Sequence, residues 1–126
     1  MGTRVKLSTL WIVVMFNMVF ADILSLMMPS FLQGLLSGNA ENIPITQELL
    51  LVFAVTLEIP IAMIFLSRVL PYKINKRLNI VTSIFTILFI VGGGSLTYHY
   101  LFFATVEIVC LLSILIYAYK WKEISE

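Results

Sequence analysis

Residues 49–70 read LLLVFAVTLEIPIAMIFLSRVL, a run interrupted by charge only at Glu58 and Arg68. A helix of about 20 mainly apolar residues crosses the hydrocarbon core of a bilayer. This run is long enough, and Pro71 closes it. It lacks the alternation of apolar and polar residues that marks a membrane barrel strand. Three further runs have the same character: residues 7–28, closed by Pro29, then 78–97 and 100–119. The reading is an all-α membrane protein: a single transmembrane domain, 1–126, folded as a four-helix transmembrane bundle. An external loop over 29–48 and a cytoplasmic loop over 71–77 join the helices.

Composition supports the bilayer. The chain is 60% hydrophobic and 12% charged, with a mean hydropathy of +1.02. Soluble domains are nearer half apolar and a quarter charged. A net charge of +1 gives no reason to expect a nucleic-acid partner. The single cysteine, Cys110, rules out an internal disulfide and paired-thiol chemistry. It reads as a small buried hydrophobe.

The first run competes with a signal peptide, because a basic start and Val19-Phe20-Ala21 fit a cleavage rule. The apolar run continues past Ala21, however, and Asn17 and Asp22 suit a bundle-facing helix. The segment is therefore expected to remain as a span.

Lys and Arg set the orientation. Arg4 and Lys6 precede the first helix; Arg68, Lys73, Lys76 and Arg77 surround the second connection; Lys120 and Lys122 follow the fourth helix. The other two connections carry none. Both termini are therefore expected in the cytoplasm, N-in/C-in. Trp11, Tyr72, Tyr117, Tyr119 and Trp121 fall near the inner boundary and read as interfacial anchors. In the long external loop, Phe31, Leu32, Leu35 and Leu36 recur at helical spacing, predicting a short surface helix. Thr46 is a candidate N-cap for the second span.

An internal repeat is visible. Thr56-Leu57-Glu58-Ile59 recurs as Thr105-Val106-Glu107-Ile108, and the same register aligns Phe53 with Phe102 and Lys73 with Lys122. The bundle then consists of two parallel-repeat helical hairpins.

The shared residue of the repeat is a glutamate in hydrocarbon. An intramembrane charge costs roughly 2.5 to 3.5 kcal/mol on insertion scales, so such residues face the bundle, pair or become protonated. Asp22, Glu58 and Glu107 are in this position, and no Lys or Arg lies within the membrane-embedded stretches to pair with them. At 1.5 Å per residue Glu58 lies about 14 Å deep, with the other acids nearer the outer end. Small residues flank two of them: Ala54 and Ala62 around Glu58, Ala104 and Cys110 around Glu107. Pro60 loosens the turn that precedes it and frees the Thr56 carbonyl. Asn79, Ser83, Thr86 and Gly92-Gly93-Gly94-Ser95 add polar or small positions on the third helix. The expected ligand-binding set is Asp22, Glu58 and Glu107, with Asn17 and His99. It lines an outward-facing polar site for a small molecule or cation. The competing reading makes each acid a protonated helix–helix contact. His99, between Tyr98 and Tyr100, reads first as part of an aromatic belt. No HxxxH or HExxH spacing supports a metal, and no cofactor is expected.

The chain resembles an uncharacterised family of small bacterial four-helix membrane proteins, similar in plan to the DoxX-like superfamily. The resemblance covers nearly the whole length. It rests on Leu7-Ser8-Thr9-Leu10-Trp11, Phe20-Ala21-Asp22-Ile23, Ile45-Thr46-Gln47, Glu58-Ile59-Pro60, Leu66-Ser67-Arg68-Val69-Leu70, Tyr100-Leu101-Phe102-Phe103-Ala104 and Glu107-Ile108. It implies a bacterial inner membrane and a four-helix bundle, and no activity. The wider superfamily includes subunits linked to quinone oxidoreductases, a fold-level analogy. Small multidrug exporters and fluoride channels fit poorly. The first use one acid in the first helix, and the second carry Gly- and Arg-rich signatures not found here.

Two functions remain from different classes: a binding or transport protein with a carboxylate-lined site, or a non-catalytic subunit that meets a second copy or another membrane protein. Without a nucleophile–base pair or nucleotide loop, an enzyme is not expected.

Overall fold

A computed structural model describes residues 2–40, 43–93 and 97–122. It contains five helices: α1 (Thr3–Leu26), α2 (Pro29–Leu36), α3 (Gln47–Val69), α4 (Tyr72–Gly93) and α5 (Tyr98–Lys120). All but α2 are long and apolar enough to cross a membrane. The chain is a multi-pass membrane protein with the four-helix bundle read from its sequence. An even number of spans puts Thr3 and Lys120 at the same end, here called the basic end. The opposite end carries α2.

The connection from α1 to α3 is elaborate. Pro29 opens α2 directly after Met28, where its missing N–H costs nothing. Gly38 then turns the chain at a φ of +92°, a conformation that favours glycine. Asn39 pairs with Pro44 and Ala40 with Ile43 in a two-residue antiparallel bridge. The Thr46 hydroxyl accepts from the Leu49 amide at 3.1 Å and caps α3.

The α3–α4 connection is shorter than its sequence suggests. α4 begins at Tyr72, six residues before the apolar run. Lys73, Lys76 and Arg77 lower the hydropathy of its first turns, yet Asn75 points inward and fastens them. Its Nδ2 donates to the Ser67 carbonyl at 2.8 Å and to that of Leu70 at 3.3 Å. These are carbonyls at the end of α3, beyond the reach of the helix's own amides; that of Leu70 also accepts from Arg4 Nη2 at 3.5 Å.

α1 is the centre of the bundle and packs chiefly on α5 and α3, while α4 leans mainly on α5. The apolar core includes Leu7, Trp11, Val14, Met63, Leu111, Ile114, Ala118 and Trp121. These residues all lie in the half nearer the basic end. Arg4 stacks over Trp121 at 5.2 Å, and Tyr72 meets the same indole edge-on. The Trp121 carbonyl accepts from Tyr72 Oη at 2.8 Å and Lys76 Nζ at 3.1 Å.

α4 is built inside out. Asn75, Asn79, Thr82, Ser83 and Thr86 are buried, while Val81, Leu88 and Val91 are exposed. Apolar side chains gain nothing by leaving lipid, so polar groups turn inward and hold the helix.

Candidate functional site

The polar residues separate into three places. The first is in the basic half. Trp11 Nε1 donates to Asn79 Oδ1 at 2.8 Å, and Ser67 Oγ donates to the same oxygen at 3.3 Å. Asn79 Nδ2 donates to the Asn75 carbonyl at 2.9 Å and to Asn75 Oδ1 at 2.6 Å. Ser8 Oγ donates to the Ile64 carbonyl at 2.7 Å and accepts from Arg68 Nε at 3.0 Å. This network ties α1, α3 and α4 together. Its donors and acceptors meet one another, so it reads as a fastening. Trp11 and Trp121 are buried here, which corrects their reading as interfacial anchors. Tyr117 and Tyr119 are exposed, as anchors should be. Ser83 and Thr86 donate to their own helix, at the Asn79 and Thr82 carbonyls.

The second place is the seam between α1 and α5 toward the α2 end. Glu107 is 4% exposed, and Asp22 lies within electrostatic reach of it. Asp22 itself is exposed at the edge of the seam. One level further out, Ser25 Oγ and His99 Nε2 share a hydrogen bond of 3.0 Å. His99 is thus tied to α1, more than the aromatic belt alone would ask of it. An open depression lined by Met28, Thr97, Tyr98 and His99 lies at this end. Asn17 is half-buried and its Nδ2 donates to the Val13 carbonyl at 2.7 Å, within its own helix.

The third place is the far side of α3. Pro60, Met63 and Ser67 are its buried residues. At 100° per residue Glu58 stands about 200° from Pro60 and about 180° from Ser67. Its carboxyl therefore points away from the bundle, and the residue is exposed. Ala54 is exposed as well, so the small-residue face around Glu58 is not packed within the chain. The threonines of the two repeat motifs bond alike, each to its own helix. Thr56 donates to the Val52 carbonyl at 2.7 Å and Thr105 to that of Leu101 at 2.8 Å. The environments differ, because α1 covers Glu107 and leaves Glu58 bare.

The expectation of three acids around one hollow is thereby revised: Asp22 and Glu107 lie toward one seam, and Glu58 is turned away from the bundle. Among the described residues no three His, Cys, Asp or Glu side chains converge to hold a metal ion. Gly94 and Ser95, expected near the acids, lie outside the described residues.

Sequence reasoning did not foresee the Ser8–Trp11–Ser67–Asn75–Asn79 network. Its signal was present in Asn75, Asn79, Thr82, Ser83 and Thr86, which recur at helical spacing as a polar stripe on one face of α4.

A family model described as a family of unknown function (DUF6326) matches residues 2–125. No curated protein and no solved structure matches. The likeness in plan to the DoxX-like superfamily has no counterpart among these findings.

Proposed function

The chain belongs to this family of unknown function, and from that premise we propose that it is a membrane component that binds a proton or small cation at Asp22 and Glu107. The observation that carries the reading is the burial of Glu107 beside a second acid, with no Lys or Arg between residues 7 and 67 of α1 and α3 or between 78 and 119 of α4 and α5. A buried carboxylate is repelled by a second acid within electrostatic reach, and a proton or cation bound there removes the repulsion. The basic end belongs in the cytoplasm by the charge rule, in a bacterial inner membrane. Ser25 and His99 then lie on the outer side of the seam. The filled network around Asn79 blocks a straight path to the basic end, which favours binding over passage through one chain. The function so proposed involves no catalysis.

The test is a titration of the protein in lipid nanodiscs with Na⁺, K⁺ and acid, read as melting temperature. Wild type rises with one of these. The Asp22→Asn, Glu107→Gln double variant is stabilised at the start and responds to none. An equal response in the double variant would falsify the proposal.

A second reading is favoured by a different observation, the exposed acid on α3. There the chain is an assembly subunit, and Glu58 belongs to an interface.

A further inference from the structure

Between Glu48 and Val55, α3 has no fully buried position on any side, so above Pro60 its own bundle covers it only in part, at Leu49, Thr56 and Leu57. Lipid covers apolar side chains well, but a carboxyl near the bilayer midplane needs a polar partner. The residues on the outward side of α3 are Leu51, Ala54, Glu58, Ile61 and Phe65. Their spacing is three, four, three, four. That is the a/d repeat of a left-handed helix pair. Every member is exposed: Leu51 by 64%, Ile61 by 40% and Phe65 by 66%, with Ala54 and Glu58 also in the exposed class. The seam centre lies opposite the Pro60–Met63–Ser67 face that holds α3 to α1 and α4.

We propose that this seam is a homodimer interface, in which α3 packs against α3 of a second copy and the two Glu58 carboxyls meet. The inference rests on the assembly reading and names its partner. The choice of a second copy follows from geometry and chemistry together. Two copies inserted in the same orientation present α3 in parallel, and in a parallel pair each a position meets its own counterpart. A neutral carboxyl offers one donor and one acceptor, so a second Glu58 completes both. Ala54, one turn away, lets the backbones approach closely. A polar residue at a single a position fixes register and oligomer state, and Glu58 sits in the middle of the five. The resulting contact is isologous and closes at two chains. The repeat gives the same answer, since Glu107 in the equivalent motif is already covered by a helix.

The experiment is disulfide mapping in native membranes on a Cys110→Ser background. Single cysteines replace Leu51, Ala54, Ile61 and Phe65 on the seam. Controls replace Val52 and Ile59, which are equally exposed but face sideways. Oxidation should link the seam variants into a species of twice the chain mass, at least tenfold more than the controls. In bilayers, Glu58→Ala should weaken self-association about threefold to twentyfold, the range of interhelical hydrogen bonds in membranes, while Glu58→Gln largely preserves it. Equal linking at Val52 and Ile59, or loss no greater in Glu58→Ala than in Glu58→Gln, overturns the interface. Linking of the seam to a chain of different mass overturns the second copy but keeps the assembly reading. Single chains throughout, with no linking anywhere, overturn both.

Discussion

Replacing Asn79 with leucine tests what holds α4 in place. The two side chains share the same branched shape and number of heavy atoms, so the change removes polarity while adding modest bulk at a buried position. Asn79 joins three helices: α1 through Trp11 Nε1 at 2.8 Å, α3 through Ser67 Oγ at 3.3 Å, and its own α4 through Asn75. The two bonds that cross between helices each contribute about 0.6 kcal/mol on the membrane average, with a ceiling near 1.7. The buried indole N–H left without an acceptor adds a penalty of about 1 kcal/mol or more. The Ser67 bond is long and contributes less than that of Trp11. The expected loss is about 2 to 3 kcal/mol, measured as reversible unfolding in mixed micelles or by steric trapping in bicelles. A double-mutant cycle locates its source. Trp11→Phe removes both the bond and the stranded donor, so Asn79→Leu should cost about 1.5 kcal/mol less in that background. A loss below about 0.5 kcal/mol, or an additive cycle, would refute the view that this network fastens α4; simple apolar packing would then suffice.

Three other outcomes follow from the same geometry. Trp121 Nε1 is buried without a hydrogen-bond partner among the described residues, so Trp121→Phe should be nearly neutral, whereas Trp121→Ala should cost about 3 kcal/mol or more from lost packing. Matching losses in melting temperature for the two would contradict this. Thr46→Ala removes the cap on the Leu49 amide and should destabilise the start of α3 by about 1 kcal/mol, seen as faster amide exchange confined to its first turn. Ser8→Ala deletes one acceptor of Arg68 and the bond to Ile64; unfolding free energy should fall by about 1 kcal/mol, and an unchanged value would count against the α1–α3 register.

Hydropathy alone determined that four segments span a membrane, because runs such as residues 49–70 have no other stable solvent. It also marked Asp22, Glu58 and Glu107 as out of place, since an unpaired acid at that depth is costly. The α3 cap at Thr46 was legible for a local reason: a cap involves four consecutive residues. The start of α4 was not, because its first turns are polar on the lipid-headgroup side and are held by Asn75, a contact made with another helix.

Helix rotation was decided by tertiary structure. α3 is apolar on nearly every side, so its sequence carries no amphipathic signal to say which face turns inward. Packing of Pro60, Met63 and Ser67 against α1 and α4 settles it, and Glu58 is thereby turned outward while its repeat partner Glu107 is turned in. Sequence determined which carboxyls lie in the membrane; only the rotation of each helix about its axis decided which of them meet.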